Sequence, residues 1–264
     1  VNFLFRGFNY LKHIIKSGNE HAVQSPFLFY FYITAIYTNK QFYSFESIEK
    51  LRNKALHNTN SIEVLDLGAG STKLQNNKRL ISDIAKTSSK NSAIGQLLFR
   101  LVWHSKSTNI LELGTSLGFS TSYLASTNTK SHVVTIEGCP QISKFAQQTF
   151  NKLNLSNITL INGSIDETLS EALLKLKKLD FVFVDANHRY EPTLRYFHQM
   201  LPFVHEGSIM VFDDIYWSKE MKRAWEAIKD HERVSISIDL FHCGIIFFRT
   251  NAPKQHYTLK IKPR

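Results

Sequence analysis

Four groups of residues in this chain have the types and spacing to do chemistry. Glu112-Leu-Gly-Thr-Ser-Leu-Gly118 sets an acid and two glycines across what reads as a strand-to-helix turn. Gly114 and Gly118 let the backbone bend tightly and approach a ligand, and the Ser120-Thr-Ser start of the next helix offers free N–H groups to a carboxylate or phosphate. Glu137 closes the next apolar run, Val133-Val-Thr-Ile, near the spacing at which an acid meets ribose hydroxyls in nucleotide-binding sheets. Asp185-Ala-Asn-His188 and the pair Asp213-Asp214 follow two later apolar runs. Ligands of open α/β sheets gather there, beyond the carboxyl ends of the strands.

The elements that must position these groups follow from the apolar pattern. Short β-branched runs at 109–113, 132–136, 158–161, 180–184 and 208–212 alternate with amphipathic stretches at 120–126, 142–153, 167–176, 191–201 and 219–231. Two further runs, 234–238 and 244–249, are joined by too few residues for a parallel crossover, so the last pair is expected to be antiparallel. The prediction is a Rossmann-like α/β fold: a seven-stranded, mostly parallel sheet with an antiparallel C-terminal hairpin strand and helices on both faces. Residues 1–90 differ, with helical patterns at 3–16, 26–37 and 44–57 ahead of a polar segment at 71–90. They read as an N-terminal helical cap or lid, leaving 91–264, which opens on a helical pattern at 93–104, as the catalytic domain. The aromatic residues of the first 45 positions, from Phe3 and Phe5 through Phe31 and Tyr43, could line an acceptor pocket, form a dimer face or fill the cap's own core.

A second glycine motif, Val64-Leu-Asp-Leu-Gly-Ala-Gly70, matches the strand-to-turn pattern equally well. Its context fails, because a polar, basic stretch follows in place of a second strand ending in an acid. Asp66–Ser71 is therefore read as structural or part of a lid. At the first motif the turn is Gly-x-x-x-Gly, not Gly-x-Gly-x-x-Gly, and no Tyr-x-x-x-Lys pair follows, which disfavours a nicotinamide enzyme.

Composition bounds the rest. The 264 residues are 43% hydrophobic and 20% charged, values of a globular chain. The most apolar window, 27–37, falls well short of the roughly 20 residues that span a bilayer. Arg6, Asn9, Lys12 and His13 interrupt the early apolar positions and break the order of a signal peptide. A cytoplasmic chain with no membrane partner is expected. Cys139 and Cys243 cannot build a disulfide framework. The net charge of +10 permits phosphate or acidic partners without specifying one, and the basic residues are spread along the chain, so nucleic acid is disfavoured.

Together these residues resemble the class I S-adenosylmethionine-dependent methyltransferases, and within them the small-molecule O-methyltransferases of the catechol and caffeoyl-CoA type. The likeness covers about residues 91–249. It runs through Gly95-Gln96, Leu111-Glu-Leu-Gly, Gly118-Phe-Ser120, Ile136-Glu137, Asp180-Phe-Val-Phe-Val-Asp185 and Gly207-Ser-Ile-Met-Val-Phe-Asp-Asp214. The resemblance implies that Gln96, Glu112, Gly114, Thr115, Ser116, Gly118 and Ser120 surround the methionine part of the cofactor. It implies that Glu137 holds the ribose, with Gly138 and Cys139 beside it, that Ser164 and Ile165 sit by adenine, and that Asp185 borders the cofactor. It further implies a divalent cation such as Mg²⁺ on Asp185, Asp213 and Asp214, the last standing where the relatives carry asparagine. His188 stands where they carry a lysine base. Its ordinary pKa of about 6.5 suits proton removal near neutral pH, while a metal ligand or a loop histidine bonded to Tyr190 or Glu191 are the other readings. The expected function is methyl transfer to a small hydroxylated acceptor by an enzyme that could form a homodimer. An RNA-directed methyltransferase and a non-catalytic protein of the same fold are the alternatives.

Overall fold

A computed structural model describes residues 3–65, 77–87, 92–250 and 252–262. In chain order the elements begin with helix α1 (Phe3–Lys16), α2 (Pro26–Phe31) running into a π turn at Tyr32–Ile36, and α3 (Tyr43–Leu56). Strands β1 (Ser61–Val64) and β2 (Asn77–Leu80) precede α4 (Ile81–Thr87) and α5 (Ser92–Ser105). Then come β3 (Asn109–Leu113), α6 (Phe119–Ala125), β4 (His132–Glu137), α7 (Pro140–Lys152), β5 (Ile158–Asn162) and α8 (Ile165–Leu176). The chain closes with β6 (Leu179–Val184), α9 (Tyr190–Met200), β7 (Val204–Asp213), α10 (Lys219–Asp230), β8 (Ile236–Asp239), β9 (Cys243–Phe247) and β10 (Gln255–Thr258).

These elements fall into two compact units, one of residues 40–176 and one of 1–39 with 177–264. The helices before residue 90 are thus shared between the two.

In the 40–176 unit, β3, β4 and β5 run parallel, with Leu113 opposite Ile136 and Glu137 opposite Asn162. All three strands therefore end at one level. The nearly fully buried sequences of β3 and β4 suit a sheet covered by helices, and α7 and α8 both pack on it. Phe45, Ile48, Ile84, Phe99, Phe119 and Tyr123 join α3, α4, α5 and α6 in one apolar cluster. Each such fully buried side chain contributes about 1.5–3 kcal/mol relative to exposure.

In the other unit β6 and β7 are parallel, β9 is antiparallel to both β7 and β8, and β10 lies parallel to β8. The core holds Tyr32, Phe181, Phe183, Phe197, Phe212 and Trp225. Trp225 packs so closely on Gly244 that a side-chain carbon there would lie 2.5 Å from its ring.

The fold is the expected Rossmann-like α/β type, mostly parallel with the antiparallel C-terminal hairpin, but among the described residues the main sheet has eight strands, β3–β10. The additional one is β10. Its sequence, Gln255-His-Tyr-Thr, is polar and follows Pro253, and it borders a single neighbour, so it has no apolar run to announce it. A second difference concerns the Val64 motif. Strand β1 ends at Val64 and pairs antiparallel with β2 in a two-stranded sheet of its own, so it is not the parallel strand of a nucleotide turn. Asp66–Ser71 itself lies outside the described residues.

Candidate active site

The carboxyl ends of β3, β4 and β5 form one edge of the 40–176 unit. Gly114 N and Thr115 N donate to Ile136 O at 3.1 and 3.2 Å, and Gly163 N donates to Glu137 O at 3.0 Å. The three turns that leave the strands are thereby tied together. Gly114 (φ 96°), Ser116 (φ 50°) and Gly118 (φ 83°) all take left-handed backbone, which folds the turn back over the strand ends. Gly118 is needed for space as well, because a side-chain carbon there would meet Phe150 at 2.6 Å.

Glu137 is half-buried, and both of its carboxylate oxygens are engaged. Oε2 accepts from Ser116 N at 2.8 Å and Oε1 from Cys139 N at 2.9 Å. The acid therefore fixes the glycine turn of β3 to the end of β4 while still facing the open edge. Asn162, which the sequence reading missed, supports it: Nδ2 donates to Glu137 O at 2.8 Å and to Ser143 Oγ at 2.9 Å.

Glu112 lies underneath. It is fully buried, with Oε2 accepting from Thr135 Oγ1 at 2.7 Å and from Thr121 Oγ1. A carboxylate taken out of water requires such donors. Thr135 also meets Thr115 Oγ1 at 2.6 Å, so the group ties β3, β4, the turn and α6 from below. The signal for Thr135 was present in the sequence as a polar residue inside an apolar strand.

Burial thus divides the expected cofactor residues in two. Gly114, Ser116, Glu137, Gly138, Ser164 and Ile165 are partly exposed along the edge, whereas Gln96, Glu112, Thr115, Gly118, Ser120 and Cys139 are buried. Cys139 turns its thiol toward β1, accepting from Leu65 N at 3.3 Å and donating to Glu63 O at 3.6 Å. The exposed set is a carboxylate beside a bent, side-chain-poor turn, which fits a nucleoside with hydroxyls to bind and a chain to wrap.

The other unit carries the remaining residues. Val184 pairs with Phe212, so Asp185 leaves β6 level with Asp213, the last residue of β7. Asn187 (φ 66°) and His188 (φ 27°) hold left-handed backbone, with Asn187 Nδ2 bonded to Tyr196 Oη at 2.9 Å. Non-glycine residues in that region store backbone strain, a recurrent feature of functional loops. His188 Nε2 lies 3.4 Å from Asp185 Oδ1, and its ring is 6.1 Å from that of Trp217. The histidine's Nδ1 is shielded from water and makes no hydrogen bond with the described residues.

Asp213 is buried, and Asp214 takes φ 50° with its N–H on His242 O at 2.7 Å. Arg6 of α1, which the sequence reading did not place here, reaches Asp214 Oδ1 at 3.6 Å and stacks 5.3 Å from the Trp217 ring. Asp185 faces a histidine and Asp214 a guanidinium, and the described residues contain no group of three or more acidic, histidine or cysteine side chains able to hold a metal ion. As placed, Asp185, Asp213 and Asp214 do not fit the expected cation.

Comparison with known proteins agrees with this geometry. A family model described as a methyltransferase domain matches residues 111–215. A catechol O-methyltransferase of Niastella koreensis is 28% identical over 124 residues, 46% of this chain. The match spans 55% of that protein's length. Among solved structures, the Bacillus cereus O-methyltransferase in complex with S-adenosylhomocysteine has a TM-score of 0.54 at 19% identity, covering 79% of this chain and 92% of that one. The Streptomyces achromogenes O-methyltransferase involved in tomaymycin synthesis, in complex with S-adenosylmethionine, has a TM-score of 0.55 at 18% identity, covering 83% and 94%. Over residues 111–215 the chain is therefore similar to methyltransferase domains, among its relatives a catechol O-methyltransferase, and its fold is that of S-adenosylmethionine-dependent O-methyltransferases.

Proposed function

We propose that this protein transfers the methyl group of S-adenosylmethionine to a hydroxyl oxygen of a small acceptor, with His188 as the base. The observation that carries this reading is the pair formed by His188 and Asp185 on a strained loop at the end of β6.

The cofactor supplies a methyl group already activated on a sulfonium centre. Glu137 would accept hydrogen bonds from the ribose hydroxyls, Gly114 and Ser116 would follow the methionine part, and Ser164 with Ile165 would border the adenine. The buried Glu112, Thr115 and Thr135 hold the turn to its shape, which spares the binding step that ordering. On the acceptor side, the Asp185 carboxylate favours the Nε2–H form of His188 and leaves Nδ1 as the proton acceptor. Nδ1, which makes no hydrogen bond with the described residues, is the ring atom left to take the acceptor's proton. As the proton passes to Nδ1, Asp185 stabilises the imidazolium beside it. Alignment and proton removal suffice for displacement at an activated methyl, so no covalent enzyme intermediate and no cation enter these steps. Arg6 and Trp217 border the loop in this reading.

The direct test is methyl transfer from S-adenosylmethionine to a panel of catechols and hydroxycinnamates, with the methylated atom located by fragmentation mass spectrometry. A methyl ether is the expected product. Methylation on nitrogen only would overturn the oxygen assignment.

A further inference from the structure

Helix α1 packs with its polar side inward. At about 3.6 residues per turn, Phe3, Leu4, Phe8, Leu11, Ile14 and Ile15 fall within one arc of about 140°, bordered by Tyr10. This arc faces outward: Leu4 is 87% exposed, Leu11 61% and Ile15 84%. The residues that α1 buries are Asn9 and His13. Lys222 Nζ donates to Asn9 Oδ1 at 2.9 Å, and His13 Nε2 lies 3.5 Å from Asp239 Oδ1 while its Nδ1 meets Ser17 Oγ at 3.1 Å. Tyr216 Oη donates to the other Asp239 oxygen at 2.6 Å, and its ring stacks on Phe241, which also meets the Tyr10 ring edge-on. These anchors fix which side of the helix faces out. A helix that merely covers a core does the opposite, and a contiguous exposed apolar face marks a surface for interaction.

The charge on the helix selects the partner. No Asp or Glu precedes Glu20, while Lys12 borders the apolar arc with its Nζ 4.3 Å over the Phe8 ring, and Lys16 is exposed farther round the helix. Aromatic and aliphatic side chains on one face with a lysine at its margin form the pattern of a helix lying in the plane of an anionic membrane surface, the lysine stem reaching back to the headgroups. A second copy of this chain would set Lys12 and Lys16 among their own likenesses, with no acid on the helix to pair them. The net charge of +10 adds long-range attraction of the same sign.

We propose that α1 docks this protein on an anionic lipid surface. Among the described residues no helix is long and apolar enough to cross a membrane, so the contact is one of lying on the bilayer, which the expectation of no membrane partner had left aside. The test is co-sedimentation of the full chain with phosphatidylcholine vesicles, with and without phosphatidylserine, for wild type, Phe8→Ser/Leu11→Ser and Lys12→Gln/Lys16→Gln. All four positions are exposed, and circular dichroism with thermal melts verifies that the fold is kept. Wild type is expected to pellet with phosphatidylserine vesicles and to be released by salt. The apolar double variant should lose binding, and each lysine removed should weaken it by about fivefold. Wild type remaining in the supernatant, or the apolar variant binding like wild type, would overturn the proposal. Sedimentation velocity on the same samples identifies the competing occupant: a dimer abolished by Phe8→Ser/Leu11→Ser, without vesicle binding, would assign the face to a second copy.

Discussion

His188 Nε2 lies 3.4 Å from Asp185 Oδ1, and the two residues are joined by a loop that holds Asn187 and His188 in left-handed backbone. In the proposed reaction the carboxylate orients the ring, so the pair acts as one unit. His188→Gln is expected to lower kcat by about two to four orders of magnitude and to remove the acid limb of the pH–rate profile. Asp185→Asn should give a smaller loss, because the ring loses the carboxylate that orients it. Stopped-time methyl-transfer assays across pH measure both. A His188→Gln enzyme with the wild-type pH profile would remove histidine from the proton transfer.

Asp214 faces the Arg6 guanidinium at 3.6 Å, and the three aspartates form no metal cluster. The methyl-transfer rate is therefore expected to be the same in excess chelator as with added Mg²⁺. Titration calorimetry of Mg²⁺ into the protein should show no saturable heat. A rate abolished by chelator and restored by Mg²⁺ would show that Asp185, Asp213 and Asp214 rearrange around a cation.

Gly118→Ala should destabilise the 40–176 unit by about 1–3 kcal/mol, from left-handed strain together with the contact on Phe150. Urea unfolding of the variant measures this. Adding Phe150→Leu should relieve only the steric part, since the backbone strain at φ 83° remains. An unchanged midpoint in Gly118→Ala would mean that the turn relaxes freely.

His231 and His256 both have pKa values held below the ordinary histidine range, chiefly because burial penalises the charged ring. His198 adds to the effect at His231 and Lys229 at His256. The unfolded chain therefore binds more protons than the folded one as pH falls through about 6.5. Stability should fall from neutral pH toward pH of about 5, and His231→Gln should make that decline shallower. Unfolding midpoints measured across this range test it, and a slope unchanged by His231→Gln would contradict the contribution assigned to that ring.

The repeating strand and helix pattern from residue 109 onward was legible because runs such as those of β3, β4 and β6 are buried on both faces and carry their own apolar signature. Strand β10 was not, since Gln255-His-Tyr-Thr contributes polar residues to an edge. The distinction between Glu112 and Glu137 also escaped the sequence. Both are acids in or at the end of apolar runs, but Thr121 and Thr135 enclose Glu112, whereas Glu137 bonds backbone at an open edge. Such a difference depends on partners from other elements. Arg6 beside Asp214 was invisible for the same reason. The amphipathic period of α1 could be read, but its outward direction is set by Asn9, His13 and their distant partners Lys222 and Asp239.

The central claim is that S-adenosylmethionine binds along the ends of β3, β4 and β5 with Glu137 on its ribose. Titration calorimetry of S-adenosylhomocysteine into wild type and Glu137→Ala tests it most directly, with thermal melts confirming that the variant is folded. Hydrogen bonds to a charged group are worth about 1.5–3 kcal/mol, so the variant should bind roughly 10- to 150-fold more weakly. Equal affinity in a folded Glu137→Ala protein would contradict the site.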